Sequence, residues 1–406
     1  MPFVEWLKTT YKENPTQSHS GTHVSKTRIC FVVNPIAGMG GPLALKGTDG
    51  RARWEAIRRG AKPVSPERAK RFLDRLEKLG VLESIEFYTA TGSMGEELLR
   101  EYSVDYRIVN VVANPTVAAD TIETVIRCCR QGVDLIVFCG GDGTARDVAL
   151  ALASEDRKDV PLLGIPSGVK MYSSIFAVNP EAAAQAVAEF VQSGKTTCCC
   201  EGEVVDVDEE AFRKNILNVK MFALTQTLCS RYLVGISKQP TPETPDEEEN
   251  RRAIANHVLE YYVKPCTLII LGPGTTTKAI ADALGVEKTL LGVDVIHNGK
   301  LVAKDVDGPT LEKIVEEHLK RGGHVLIIVS PIGGQGFIFG RGNQQITPRV
   351  LKLVGRNNIL VVATRSKISK LKKLRIDTGD PELDETLKGY IRVVVDYDEE
   401  VIMKVE

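Results

Sequence analysis

Residues 134–147, Asp-Leu-Ile-Val-Phe-Cys-Gly-Gly-Asp-Gly-Thr-Ala-Arg-Asp, restrict what this chain can fold into more than any other stretch. Leu135 to Cys139 is a continuous apolar run without alternation, the pattern of a central strand covered on both faces. Gly140-Gly141-Asp142-Gly143-Thr144 then turns the chain into a helix. Glycines in such a turn let the backbone bend sharply and approach a ligand closely. Thr144 is placed to cap the helix, whose free N–H groups attract phosphate. Asp142 departs from that logic, because a carboxylate repels phosphate. It points to chemistry: taking a proton from an attacking hydroxyl, or holding magnesium beside the phosphates. A structural turn with Asp142 as its cap is the competing reading.

Strand and helix patterns alternate on both sides of this segment. Strands are predicted at 28–33, 85–89, 109–113 and 162–165, and helices at 66–80, 95–102, 118–129 and 182–192. Such alternation at short spacing predicts an α/β fold with a doubly wound, Rossmann-like N-terminal domain over 27–197, after a polar extension at 1–26. From residue 198 the pattern becomes β-rich, with strands predicted at 203–207, 220–226 and 232–237. The Pro-rich acidic run 239–250 reads as an exposed loop before a helix at 251–261. Thr267 to Leu271 is another buried strand, and Asn298-Gly299 is the turn of a hairpin joining 290–296 to 300–302. Further strands fall at 324–329 and 359–363, with a closing hairpin of 391–397 and 401–405. A second, β-rich domain is therefore expected over 198–350, with 351–406 packing back on the first.

The 406 residues suffice for two or three domains, and the net charge of −1 argues against a general nucleic-acid or anionic-membrane binder. Nine cysteines, an odd count with several inside apolar strands, suggest reduced thiols and a cytoplasmic protein. Cys198-Cys199-Cys200 lacks metal-ligand spacing, as do the six histidines. No apolar stretch is long enough to span a bilayer.

Three more segments can carry chemistry. Asn34-Pro35-Ile36-Ala37-Gly38-Met39-Gly40-Gly41 is the first strand-to-helix turn and offers backbone donors to phosphate, with Lys46 close behind. It lacks the full Gly-x-Gly-x-x-Gly fingerprint, so hydride-transfer chemistry is weakly supported. Pro166-Ser167-Gly168-Val169-Lys170 follows another buried strand; Ser167 can donate a hydrogen bond and Lys170 can neutralise phosphate. Gly272-Pro273-Gly274-Thr275-Thr276-Thr277 opens a third glycine turn and helix, a donor-rich pocket for substrate. Asp294, near a strand end, can contact a sugar hydroxyl or metal. Each of these is also readable as an ordinary turn or cap.

Four segments, in order, resemble the superfamily of NAD kinases, diacylglycerol kinases and sphingosine kinases. They are Asn34 to Gly38, the Gly140 to Thr144 signature, Pro166-Ser167-Gly168, and Gly274 to Thr277. Leu45 to Gly50 and Leu290 to Val295 look typical of the ATP-NAD kinase/AcoX-like branch, common in archaea and bacteria. The resemblance implies phosphoryl transfer from ATP or polyphosphate to the 2′-hydroxyl of NAD. Asp142 would be general base, and Asn34, Gly38, Gly40, Gly41, Lys46, Gly140, Gly141, Gly143, Thr144, Ser167, Gly168 and Lys170 would surround the phosphates. Gly272, Gly274, Thr275, Thr276, Thr277 and Asp294 would face substrate, and Mg²⁺ would accompany the donor, its ligands unassigned. Homo-oligomerisation is common in the superfamily and is expected here. Where standard NAD kinases carry an Asn-Glu pair gripping adenosine, this chain has Val169-Lys170, which suits a ligand with extra negative charge. Kinases of other small-molecule or lipid hydroxyls, and a non-catalytic nucleotide sensor, are the alternatives.

Overall fold

The strand that ends at the Gly140 turn lies at the centre of a sheet, as its unbroken apolar run predicts. In the computed structural model, residues 26–44, 58–168, 171–194, 199–207, 219–235 and 244–406 are described. The first sheet contains β1 (Thr27–Val33), β2 (Ile85–Ala90), β3 (Asp105–Asn110), β4 (Leu135–Gly140), β5 (Leu162–Pro166), β6 (Cys199–Val207) and β7 (Val219–Leu228). Their spatial order is β3-β2-β1-β4-β5-β7-β6. The run from β3 to β7 is parallel, and β6 pairs antiparallel at the edge. Alternation along these strands divides their side chains between two cores. Ile29, Phe31, Val33, Leu135 and Val137 pack under the helices Ser65–Lys78 and Pro180–Gln192. Cys30, Val32, Ile136 and Phe138 pack under Ala118–Arg130 and Asp142–Ser154. Each fully buried Phe or Leu here contributes about 1.5–3 kcal/mol, so both faces are firmly covered.

The second sheet contains β8 (Thr267–Leu271), β9 (Asp294–His297), β10 (Lys300–Ala303), β11 (His324–Val329), β13 (Ile359–Val362), β15 (Gly389–Asp396) and β16 (Glu399–Val405). Two short strands, β12 (Phe337–Phe339) and β14 (Arg375–Ile376), pair separately. The order is β10-β9-β8-β11-β13-β15-β16, with a parallel centre and an antiparallel hairpin at each edge. Helices Pro245–Tyr261 and Thr275–Ala283 cover one face, and Gly308–Lys320 and Pro348–Val354 the other. The fold is thus α/β in two domains, as expected. The β9–β10 turn forms as read, with Asn298 and Gly299 at φ of 50° and 69°.

Several local expectations are corrected. The sheets, not residue 198, divide the chain: β6 and β7 complete the first sheet because β7 pairs with β5. Residues 351–406 supply β13 to β16 and belong mainly to the second domain rather than returning to the first. Residues 232–235 form one isolated bridge instead of a strand, Leu233 pairing with Ala177. The acidic run is helical from Pro245, where the Thr244 hydroxyl caps the helix and acids in the first turn suit its dipole. Cys30–Cys128 and Cys200–Cys229 are disulfides, against the expectation of reduced thiols; their Cα atoms lie 5.8 and 5.3 Å apart, within bridging range. Among the described residues, no helix is long and apolar enough to cross a membrane.

Candidate active site

The order of the first sheet reverses between β1 and β4, and the carboxyl ends of these neighbours form the crevice where open α/β sheets bind ligands. Asn34 leaves β1 there, and Gly140-Gly141-Asp142 leaves β4. Asp142 is the first residue of the helix Asp142–Ser154, so its carboxylate sits at the positive end of that helix. Three donors orient it. The Tyr172 N–H donates to Oδ2 at 2.7 Å; the Ser173 N–H and hydroxyl donate to Oδ1 at 3.0 and 2.6 Å. Burial, and then the Asp142 charge, raise the Tyr172 phenol above its ordinary pKa, so it stays neutral.

The glycine signature divides its work. A side chain at Gly140 would strike the Thr144 hydroxyl, and one at Gly141 would come within 3.2 Å of the Gly168 backbone. Gly143 is exposed with open space beside it, so the helix end is accessible there. Thr144 is not the cap. Gly141 is, and the Thr144 hydroxyl instead accepts from Asn34 Nδ2 at 2.9 Å, tying β1 to the turn.

The third segment closes against both. Ser167 and Gly168 donate their N–H groups to the Gly140 carbonyl at 3.1 and 3.3 Å. Gly38, at φ of 83°, has the Ser167 carbonyl where a Cβ would stand, 2.0 Å away. Ser167 is buried and its hydroxyl accepts from Ser65 at 2.8 Å, so it locks loops together rather than presenting a donor to phosphate. Gly40 and Gly41 are buried too, Gly41 against the Gln344 side chain of the second domain. Lys46, Val169 and Lys170 lie outside the described residues.

The substrate-side expectations separate. Gly272, Gly274 and the Thr275–Ala283 helix start stand at the carboxyl end of β8, at the β8/β11 reversal of the second sheet. Thr275 is half-buried, whereas Thr276 is buried and Thr277 bonds inward to the Gly272 and Gly274 carbonyls. Asp294 is not a ligand-facing group. It is fully buried, accepts from Thr289 and the Asp305 N–H, and pairs with Lys288 at 3.3 Å. Burial holds Lys288 below its ordinary pKa against the pull of Asp294.

Sequence reasoning missed the groups that join the domains to this site. Arg68 Nη1 donates to both oxygens of Asp377, at 3.0 and 2.8 Å, and to the Pro166 carbonyl. Burial works against the Arg68 charge, but the Asp377 carboxylate outweighs it and raises the pKa. Arg341 is fully buried, stacks over Phe337 at 4.0 Å, and donates Nη2 to the Ala177 and Val178 carbonyls. These carbonyls close the segment that begins at Tyr172-Ser173. Burial depresses Arg341 to about 9, with Asp377 and Asp142 among the charges opposing that shift. The one sequence signal was the polar run Gly340-Arg341-Gly342-Asn343-Gln344-Gln345 after an apolar strand.

Family models for the two ATP-NAD kinase domains match this architecture: the N-terminal domain over residues 29–196 and the C-terminal domain over 267–405. The chain belongs to the ATP-NAD kinase family. The Gly140–Thr144 turn lies inside the first matched domain. A protein described as a probable lipid kinase YegS-like, from Enterobacter sp. (strain 638), is 34% identical over 76 residues, 18% of this chain. That match spans a quarter of the relative's length. Two solved structures at 10% identity are a putative UDP-N-acetylglucosamine 2-epimerase from Listeria monocytogenes and an S. aureus MnaA-UDP co-structure. The first covers 87% of this chain and 75% of that one at a TM-score of 0.22; the second covers 84% and 80% at 0.19. Neither likeness carries a structural argument.

Proposed function

We propose that this kinase moves the terminal phosphoryl group of ATP, or of a polyphosphate, to the 2′-hydroxyl of NAD, giving NADP. The observation that carries the reading is Asp142, held by three donors at a helix start in the crevice of the first sheet. Asp142 accepts the proton of the acceptor hydroxyl as its oxygen bonds to the terminal phosphorus. The bond from that phosphorus to the departing phosphate breaks in the same displacement, and the leaving oxygen keeps the electron pair. The helix-end N–H groups beside Gly143 take the phosphate oxygens, and the Gly141–Gly168 contact keeps the turn shut behind them.

Magnesium fits this donor set. The ion is usually held by phosphate oxygens and water with only one or two carboxylates, and Asp142 is the carboxylate of the turn; the described residues contain no closed acidic cage. When bound with the donor, Mg²⁺ offsets the negative charge that develops on the phosphates.

The test is NADP formation by the purified full chain with Mg²⁺, NAD, and either ATP or polyphosphate. NADP from one donor names that donor. No NADP from either, with nucleotide binding intact, refutes the acceptor. A different hydroxyl acceptor, a lipid included, is the second reading, favoured only by the short match to the probable lipid kinase.

A further inference from the structure

The first sheet carries a second polar concavity, at the end away from Asp142. Strands β3 and β4 are parallel members of that sheet, so the helix Ala118–Arg130 between them starts at the carboxyl end of β3 and finishes at the amino end of β4. Its buried Val125, Cys128 and Cys129 pack with Cys30 and Tyr88 of β1 and β2. The edge strand β3 presents Arg107 beside them, exposed to solvent. Arg107 is the register partner of Tyr88, so the two side chains share a face, and the guanidinium carbon lies 5.9 Å from the centre of the Tyr88 ring. A cleft of about 280 Å³ results, walled by Tyr88, Arg107 and Val109 of the strands and by Arg127, Arg130 and Gln131 of the helix end.

Three arginines and no acidic residue line this cleft. Each guanidinium is anchored by a carboxylate outside it. Arg107 Nε donates to Glu86 at 2.7 Å, Arg127 Nε to Glu123 at 2.6 Å, and Arg130 Nε and Nη2 to Glu155 at 3.0 and 2.8 Å. Arg127 Nη1 also donates to the Val109 carbonyl at 3.1 Å. Among the described residues, no acceptor meets either Nη of Arg107, Nη2 of Arg127 or Nη1 of Arg130. Exposed ion pairs of this kind add little stability, so stability does not account for three guanidiniums gathered around one concavity. Anchoring does limit the rotamer freedom that each would lose on binding a ligand.

We propose that this cleft binds a small organic polyanion, one with at least two phosphate or carboxylate groups. The spare Nη groups of three arginines supply charge-assisted donors to such oxygens, and phosphate and carboxylate suit the guanidinium fork equally. The volume is near the lower limit of small-molecule sites, about 300 Å³, which fits a compact ligand. The inference goes beyond the phosphoryl-transfer reading: the cleft shares no residue with the Asp142 crevice, and it stands whatever the acceptor there.

Hydrogen exchange on the full chain tests it, with pyrophosphate and citrate as separate probes. At least one of them should slow exchange at 105–110 and 126–132 at millimolar concentration or below. Protection by pyrophosphate alone names a phosphate ligand, and protection by citrate alone a polycarboxylate. Arg107→Gln and Arg130→Gln should each raise the concentration for half-protection about tenfold, the worth of a hydrogen bond to a charged group. Both side chains are exposed, so thermal unfolding of the variants should match the parent. Arg157, which donates to the Cys129 carbonyl outside the cleft, is the control: Arg157→Gln removes the same charge and should stay within about twofold, the effect of screened surface charge. The proposal is overturned if neither probe protects these segments, or if protection falls only at 140–146 in the Asp142 crevice. It is equally overturned if Arg107→Gln and Arg130→Gln bind as the parent does, or if Arg157→Gln weakens binding as much as they do.

Discussion

Asp377→Ala tests how the two domains hold the active site. Asp377 is 1% exposed and Arg68 9%, and both carboxylate oxygens lie within 3.0 Å of Arg68 Nη1. Arg68 also fixes the Pro166 carbonyl, one residue before the Ser167-Gly168 loop. Removing Asp377 leaves a buried guanidinium without its counter-ion, and Arg341, which also draws on Asp377, loses the largest charge favouring its protonation. Breaking a buried pair from one side costs about 3–5 kcal/mol. At ~2–4 °C per kcal/mol for a unit of this size, melting should fall by roughly 6–20 °C. Arg68→Met combined with Asp377→Leu removes both charges and should recover most of the loss, because apolar replacement of a buried pair is often neutral. Calorimetry on the full chain, with urea unfolding followed separately in each domain, measures it. A single variant within about 1 kcal/mol of the parent, or a double variant no better than the single, refutes the reasoning.

Further expectations follow from particular contacts. Gly38→Ala should cost about 3 kcal/mol or more and weaken phosphate binding, since its Cβ meets the Ser167 carbonyl at 2.0 Å at a positive φ; thermal unfolding reports the loss. Arg341→Lys cannot reproduce the paired bonds to the Ala177 and Val178 carbonyls and should lower stability by ~1–3 kcal/mol, with faster amide exchange at Tyr172 and Ser173. Lys367→Met should stabilise the ligand-free protein most at pH 7. The folded Lys367 pKa of about 8 lies below its ordinary 10.5, so its burial penalty is full below pH 8 and fades as pH rises toward 10.5. Urea midpoints of parent and variant should therefore converge by pH 10, and a gap that widens with pH contradicts the assignment.

Local signals were legible where one short segment contained the whole instruction. The unbroken Leu135–Cys139 run, the glycine turn after it and Asn298-Gly299 all formed as their residues dictate. The helix expected at 251–261 in fact begins at Pro245; the acidic, Pro-rich composition of its first turns suggested a loop, although Thr244-Pro245 and the following acids are a helix start. What escaped depends on partners distant in sequence. β7 joins the first sheet through a pairing with β5 more than sixty residues away, and no periodicity encodes that choice. Asp294 resembled a ligand group because its buried partner Lys288 is invisible in the strand pattern. Arg68, Asp377 and Arg341 carry no local signal of burial, since charged residues are seldom buried unless paired and the partners here lie far apart in sequence.

The central claim is that Asp142 is the general base, and its conservative replacement tests this most directly. Asp142→Asn keeps the size of the side chain and removes the proton-accepting charge. A positioned base contributes typically ~10²–10⁴-fold, so kcat for phosphoryl transfer should fall by about that factor while nucleotide affinity stays within a few-fold. A variant that turns over at more than a tenth of the parent rate would show that Asp142 is not the base.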